Sequence, residues 1–161
     1  MWAQAWQDRL QDVMPYSDAP LIDLTHMLHK KHYSVDKMYK TAEDFFTSIN
    51  LDPMTPKFWA RSMFTKPIDR EVVCHASAFN FLYHDDYRVK MCTIINENYF
   101  GIIHHEMGHI EYFMAYSHLP YYYRDSANPG FHEAIGDTIG MYASESIYLF
   151  FIEWKIFLFI F

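Results

Sequence analysis

His105 and His109 lie four residues apart with Glu106 between them, and of all residues in this chain they are best placed to do chemistry. On an α-helix, positions four apart share a face, one turn on. The two imidazoles can therefore aim at one point. Glu106 stands beside that point, where it suits a base touching a bound water better than a third ligand. A carboxylate from another segment has to complete the set, and Glu133, 24 residues after His109, is the candidate. Two histidines, one carboxylate and a water form the usual tetrahedral set of a catalytic zinc. The chemistry of such a set is hydrolysis: the metal lowers the pKa of the water, and a neighbouring carboxylate takes its proton.

Two helices have to position these groups. The first runs from Glu97 to about Tyr116 and is closed by Pro120. The second carries Phe131-His132-Glu133-Ala134-Ile135-Gly136-Asp137, with Asn128 as a fitting N-cap and Pro129 as a fitting first-turn residue. Asp137 follows Glu133 by four and shares its face. A carboxylate there can accept the outer N–H of a ligating histidine and fix its tautomer. The pattern H-E-x-x-H alone is suggestive only, and a surface helix rich in His and Glu is the alternative. The second helix with its spaced carboxylates argues against that alternative.

Other histidines read as structure. His104 and His132 sit about 100° around their helices from the ligand positions beside them. His26, His29 and His32 contain no pair four apart and lie among Lys30 and Lys31, so they belong to a solvated helix face. Ser34 begins a helix through Ile49, where Met38, Phe45, Phe46 and Ile49 form an apolar stripe that faces the core.

Composition bounds the rest. With 161 residues, 51% of them hydrophobic, the chain can bury one modest core. A net charge of −7 argues against nucleic acid and anionic membrane surfaces as partners. No glycine-rich phosphate loop, internal repeat or low-complexity linker is visible. Residues 1–14 lack a basic start followed by an apolar core, so they do not read as a signal peptide. Residues 147–161 are apolar but interrupted by Glu153 and Lys155, too short and too charged for a membrane span. Exposed, they would be an aggregation hazard.

The stretch His104-His105-Glu106-Met107-Gly108-His109-Ile110, followed by Ala127-Asn128-Pro129-Gly130-Phe131-His132-Glu133-Ala134-Ile135-Gly136-Asp137, resembles the angiotensin-converting enzyme family. So do Met1-Trp2-Ala3-Gln4, Glu43-Asp44-Phe45-Phe46-Thr47-Ser48 and Arg70-Glu71-Val72-Val73-Cys74-His75-Ala76-Ser77-Ala78. The resemblance runs in register from residue 1 to about residue 140 and fades from Met141. It implies a mainly α, helical gluzincin peptidase with one short β-hairpin beside the zinc helix. It implies residues 1–146 as part of a catalytic domain, with 147–161 as an apolar tail outside the family. It also implies a truncated chain, because Met1 matches an internal methionine and family domains are several times longer.

Cys74 and Cys92 lie in two β-prone runs, Glu71 to His75 and Tyr87 to Ile95, around a turn at Tyr83-His84-Asp85-Asp86. A hairpin would set the cysteines opposite each other, and two buried free thiols are the alternative. The resemblance implies the bonded pair and an oxidising compartment. His75-Ala76-Ser77-Ala78 follows Cys74 on the same strand, and the resemblance implies that this segment is an edge strand beside the zinc. By resemblance, substrate peptide pairs with that strand, His75 bonds a substrate carbonyl, and Ala76 and Ala78 offer backbone groups. On sequence alone, His75 reads as a buried, satisfied histidine. By resemblance Gln4 helps to hold the substrate's C-terminal carboxylate. Its plain reading is a solvated helix residue.

The expected function is zinc-dependent release of C-terminal dipeptides, with one Zn2+ on His105, His109 and Glu133 and with Glu106 as general base. The expected partner is a peptide with a free C-terminus, and the expected location is extracellular, either secreted or anchored to a membrane in a longer protein. Chloride is a further expected ligand of the full-length enzyme. The family's oxyanion donors, carboxylate anchors and chloride-site arginines have no counterpart in this stretch, so the chain alone is expected to be a poor catalyst. Two other readings remain: a zinc-binding piece without catalysis, and a gluzincin of other specificity such as an aminopeptidase, against which Gln4 and the His75 strand argue.

Overall fold

The computed structural model describes residues 23–83 and 85–144. Gln4, His84 and residues 147–161 lie outside that range. The described chain is mainly helical, with α1 at Leu24–Lys30, α2 at Val35–Ser48, α3 at Pro56–Arg61, α4 at Glu97–Tyr116 and α5 at Phe131–Ser144. Between α3 and α4 lies a two-stranded antiparallel sheet of β1, Ser77–Asn80, and β2, Tyr87–Lys90. A 3₁₀ turn at Tyr121–Tyr123 joins α4 to the approach of α5.

Local chemistry sets the helix starts. Asp23, Ser34, Thr55 and Asn96 each accept a backbone N–H of the first turn of the helix they precede, from His26, Lys37, Phe58 and Tyr99 respectively. Pro56 follows Thr55 at the first helical position, where a missing N–H costs nothing. The helix α5 starts differently from expectation. Asn128 accepts from Gly130 N–H at 3.0 Å and its carbonyl from Phe131 N–H at 3.0 Å, which closes a turn ahead of the helix. The side chain of Asn128 is spent inside that turn, and regular helix begins at Phe131.

The core is built from one face of α2, most of α4, and the sheet. Met38, Tyr39, Ala42, Phe45 and Phe46 of α2 are buried, and they meet Phe100, Ile103, Met107 and Ile110 of α4 together with Tyr87 and Val89. Ile49 is not part of this stripe. It is the C-cap residue, 49% exposed, where the backbone leaves the helical path and turns the side chain outward. His26, His29 and His32 are exposed, as a solvated face requires. Among the described residues no helix is long and apolar enough to cross a membrane.

The sheet is displaced from the runs read in the sequence. Segment 71–76 is not a strand. Pairing begins at Ser77 with Lys90 and ends at Asn80 with Tyr87. Beyond Lys90 the backbone changes partner. Met91 N–H donates to Met63 O at 2.8 Å and Thr93 N–H to Phe64 O at 3.0 Å. The chain before α4 is thus tied to the segment after α3 rather than to β1. Asp86 locks the hairpin end, bonded by Arg61 at 2.8 Å and by Arg88 at 2.7 Å. The Arg88 hydrogen bonds hold its carboxyl down at about 2.

Cys74 and Cys92 form a disulfide just past the paired residues, with Cα atoms 5.1 Å apart. Closing a loop of this size stabilises the fold by about 3 kcal/mol. It fixes the strand-entry segment 74–76, which the sheet itself does not hold.

His104 is fully buried, its Nδ1 2.8 Å from Phe100 O and its ring against Phe100 and Phe45. Burial lowers its pKa to about 4. The neutral ring therefore contributes stability above the unfolded pKa near 6.5, and that stability is lost as pH falls toward 4. We expect the stability difference between wild type and His104→Asn to shrink by about 2 kcal/mol between pH 7 and pH 4.5. Urea unfolding in excess chelator measures it. Parallel pH profiles for the two proteins would mean that His104 does not titrate through folding.

Candidate metal centre

α4 and α5 pack along each other and bring together side chains far apart in sequence. The Nε2 atoms of His105 and His109 are 3.0 Å apart. Glu133 Oε2 lies 3.3 Å from the first and 3.7 Å from the second. A tetrahedral ion with bonds of about 2.0–2.1 Å needs ligand-to-ligand edges of about 3.3 Å. The three edges bracket that value, and a point about 2 Å from all three atoms lies between them. These three residues form the one group among the described residues close enough to share a metal ion.

The seat of the His105 ring depends on a glycine. A Cβ on Gly136 would stand 2.8 Å from Nε2 and from Cε1 of His105. Gly108 faces Ile139 at ordinary contact distance. Gly136 sits three residues after Glu133, on the wall that the His105 ring lies against. Alanine there improves helix propensity by up to about 1 kcal/mol but takes the space of a ligand ring. We expect Gly136→Ala to weaken zinc binding at least about tenfold, the scale seen when support around a ligand is lost. Chelator competition reads the affinity, and unfolding of the metal-free protein controls for stability. Unchanged affinity would show that the His105 ring relocates freely.

The surroundings tune the groups. Asp137 Oδ1 is 3.1 Å from His105 Nδ1, so a carboxylate backs that ring on the side away from Glu133. His109 is buried and held neutral, its pKa lowered to about 4 chiefly by burial. Glu106 is also buried. Burial pushes its carboxyl up to about 7, with His105 opposing and Glu133 adding to the shift. Glu133 and Asp137 are exposed, with side chains 67% and 68% accessible, so the α5 side of the centre faces solvent.

A cleft of about 890 Å³ opens beside these residues and is lined in part by His75, Ala76, His105, Glu106 and Asp137. Segment 75–76, α4 and α5 thus supply one concavity together with Thr25 of α1. His75 is exposed, with Nδ1 2.6 Å from Ala76 O, and the buried reading of this residue fails. It fails because segment 71–76 runs outside the sheet. Ala78 does not line the cleft. It pairs with Val89 and packs half-buried against the core. Among the described residues β1 is bonded on one side only.

One residue at the centre escaped sequence reasoning. His132 Nδ1 lies 2.7 Å from His109 Nδ1. Spacing correctly turns His132 away from the ligand point. It carries no signal that the same rotation points the ring at the back of His109, because that depends on how α5 lies on α4.

A helical scaffold that converges two imidazoles and a carboxylate on one point, beside a buried glutamate and a cleft, defines a candidate metallohydrolase site. The family described as angiotensin-converting enzyme matches residues 1–154, past the point where the motifs alone fade. Angiotensin-converting enzyme of Bos taurus is 49% identical over 150 residues, 92% of this chain and 12% of its own length. That of Rattus norvegicus is 50% identical over 145 residues, 89% of this chain and 11% of its own length. An angiotensin-converting enzyme-related protein of Drosophila melanogaster is 43% identical over 141 residues, 88% of this chain and 22% of its own length. The chain belongs to the angiotensin-converting enzyme family of peptidases. It spans less than a quarter of the length of each of these relatives.

Proposed function

We propose that this chain carries the zinc-binding half of a peptidase site that releases dipeptides from the free C-terminus of peptides. The observation that supports this best is the convergence of His105 Nε2, His109 Nε2 and Glu133 Oε2 next to the buried Glu106. Two nitrogens and one carboxylate oxygen are a donor set suited to zinc and leave a fourth position for water. Zinc, when bound, supplies a Lewis acid that lowers the pKa of its water toward ~7.

The chain's own residues do the rest. His105, His109 and Glu133 hold the ion, one per chain. Asp137 accepts the His105 Nδ1 hydrogen and fixes its tautomer. Glu106 takes the proton from the attacking water and passes it to the departing amine. A nearby dication favours the ionised carboxylate, which offsets the upward push of burial and readies Glu106 as a base. His75 and Ala76 line the cleft, and among the described residues the β1 that follows them is paired on one side only, so an extended peptide can add there as a strand with Ala78 offering backbone. Gln4 is proposed to meet the substrate carboxylate. The disulfide supports an extracellular or secreted location. Chloride belongs to the longer enzyme in this reading.

The exposure of Glu133 and Asp137 favours a second reading, a piece that binds zinc yet turns over little by itself. A site short of one oxyanion donor loses ~10²–10³ in rate. The deciding experiment loads residues 1–161 with zinc and measures dipeptide release from a short peptide, with a C-terminally amidated peptide and Glu106→Gln as controls. Stoichiometric zinc with slow, Glu106-dependent release fits the proposal. Zinc without any release leaves the binding piece, and no zinc removes both.

A further inference from the structure

The two histidines of the centre are backed by different groups. Asp137 stands behind His105, and a second imidazole, that of His132, stands behind His109. We propose that His132 is the positioning residue of His109: its Nδ1 accepts the His109 Nδ1–H and thereby keeps the His109 Nε2 lone pair turned to the metal. The inference rests on the zinc reading above.

The reasoning starts from one short contact. Two ring nitrogens 2.7 Å apart need one hydrogen between them, donated by one ring and accepted by the other. A histidine that ligates through Nε2 carries its hydrogen on Nδ1. His109 must then be the donor and His132 Nδ1 the acceptor. That puts the remaining hydrogen of His132 on Nε2, which is buried and has no hydrogen-bond partner among the described residues. Its ring is instead enclosed by aromatic rings, with centroids of Phe113 at 4.6 Å and Tyr112 at 4.9 Å. A buried ring nitrogen without a partner is costly, and a position that keeps one usually serves something else.

The metal-free protein can carry the opposite arrangement. His109 Nε2 is 3.0 Å from His105 Nε2, and a hydrogen shared there would occupy the ligand lone pair. Metal binding and the His132 tautomer are therefore linked. The fold achieves this with one turn of α5: Glu133 reaches the ion while the preceding residue, about 100° around, reaches behind His109. The two ligand histidines also become unequal. A carboxylate raises the basicity of His105, while a neutral imidazole orients His109 without adding charge.

The test uses the whole chain. Zinc affinity is measured by competition with a chromogenic chelator for wild type, His132→Phe and His132→Asn. Phenylalanine fills the ring volume but accepts nothing, and asparagine places an oxygen near the lost Nδ1. We expect the phenylalanine variant to lose about 10–100-fold in affinity and the asparagine variant to stay within a few-fold of wild type. Long-range proton–nitrogen NMR of the zinc-loaded wild type should show His132 hydrogen on Nε2 and none on Nδ1. Equal losses in both variants, no loss in the phenylalanine variant, or a hydrogen on His132 Nδ1 in the loaded protein would each overturn the inference. A wild-type chain that binds no zinc would overturn the metal centre itself, whereas one equivalent of zinc with an indifferent His132 would sink only this step.

Discussion

Glu106→Gln should keep its zinc and lose about 10²–10⁴-fold in peptide turnover. Glutamine fills the same buried space, so the ligands beside it stay where α4 puts them. It cannot accept the proton of the attacking water. The experiment uses a hybrid in which residues 23–144 replace the matching segment of the bovine relative. The sign of the pH effect follows from the base role. Glu106 must be ionised, so kcat/KM falls on the acid side as it takes up a proton. Burial sets that pKa near 7 before the metal is counted, and the dication moves it lower. Turnover that survives the substitution with zinc in place would remove Glu106 from the base role.

Glu133→Ala should have the larger effect on the metal. Removing an outer partner of a ligand costs about 10–100-fold in affinity, and removing a ligand has to exceed that. Of the three grouped residues, Glu133 alone comes from α5 and alone offers a carboxylate oxygen. Its loss leaves two imidazoles on a single helix, which any surface H-x-x-x-H pair could offer. Asp137→Ala is the calibrating variant. It removes only the backing of His105 and should stay inside the 10–100-fold range, about the scale of an outer partner. Calorimetric titration with zinc distinguishes the three proteins. Equal affinity for Glu133→Ala and wild type would mean that the carboxylate is not a ligand.

The helical part of the fold was legible because its signals are local. Ser34, with its side chain on the Lys37 N–H, and the span of α4 from Glu97 to Tyr116 follow from capping chemistry and from four-residue spacing. Strand boundaries were not legible. The β-prone runs 71–75 and 87–95 are real in composition, but which of their backbone groups pair is settled by Met63 and Phe64, which take Met91 and Thr93 away from the hairpin. Ile49 shows the same limit. Its spacing fits the stripe, yet the helix ends one residue too early for it to face the core.

For the centre, the sequence by itself determined the donor types and the pairing of His105 with His109, because an α-helix fixes residues four apart on one face. It also placed Asp137 on the face of Glu133 by the same rule. Tertiary structure alone decided whether two helices separated by the turn at Tyr121–Tyr123 would bring those faces together. That outcome depends on the space that Gly136 leaves for the His105 ring, and on the rotation of α5 that sets Glu133 near the two imidazoles and His132 behind His109. Both are properties of packing between elements, and no periodicity within either helix encodes them.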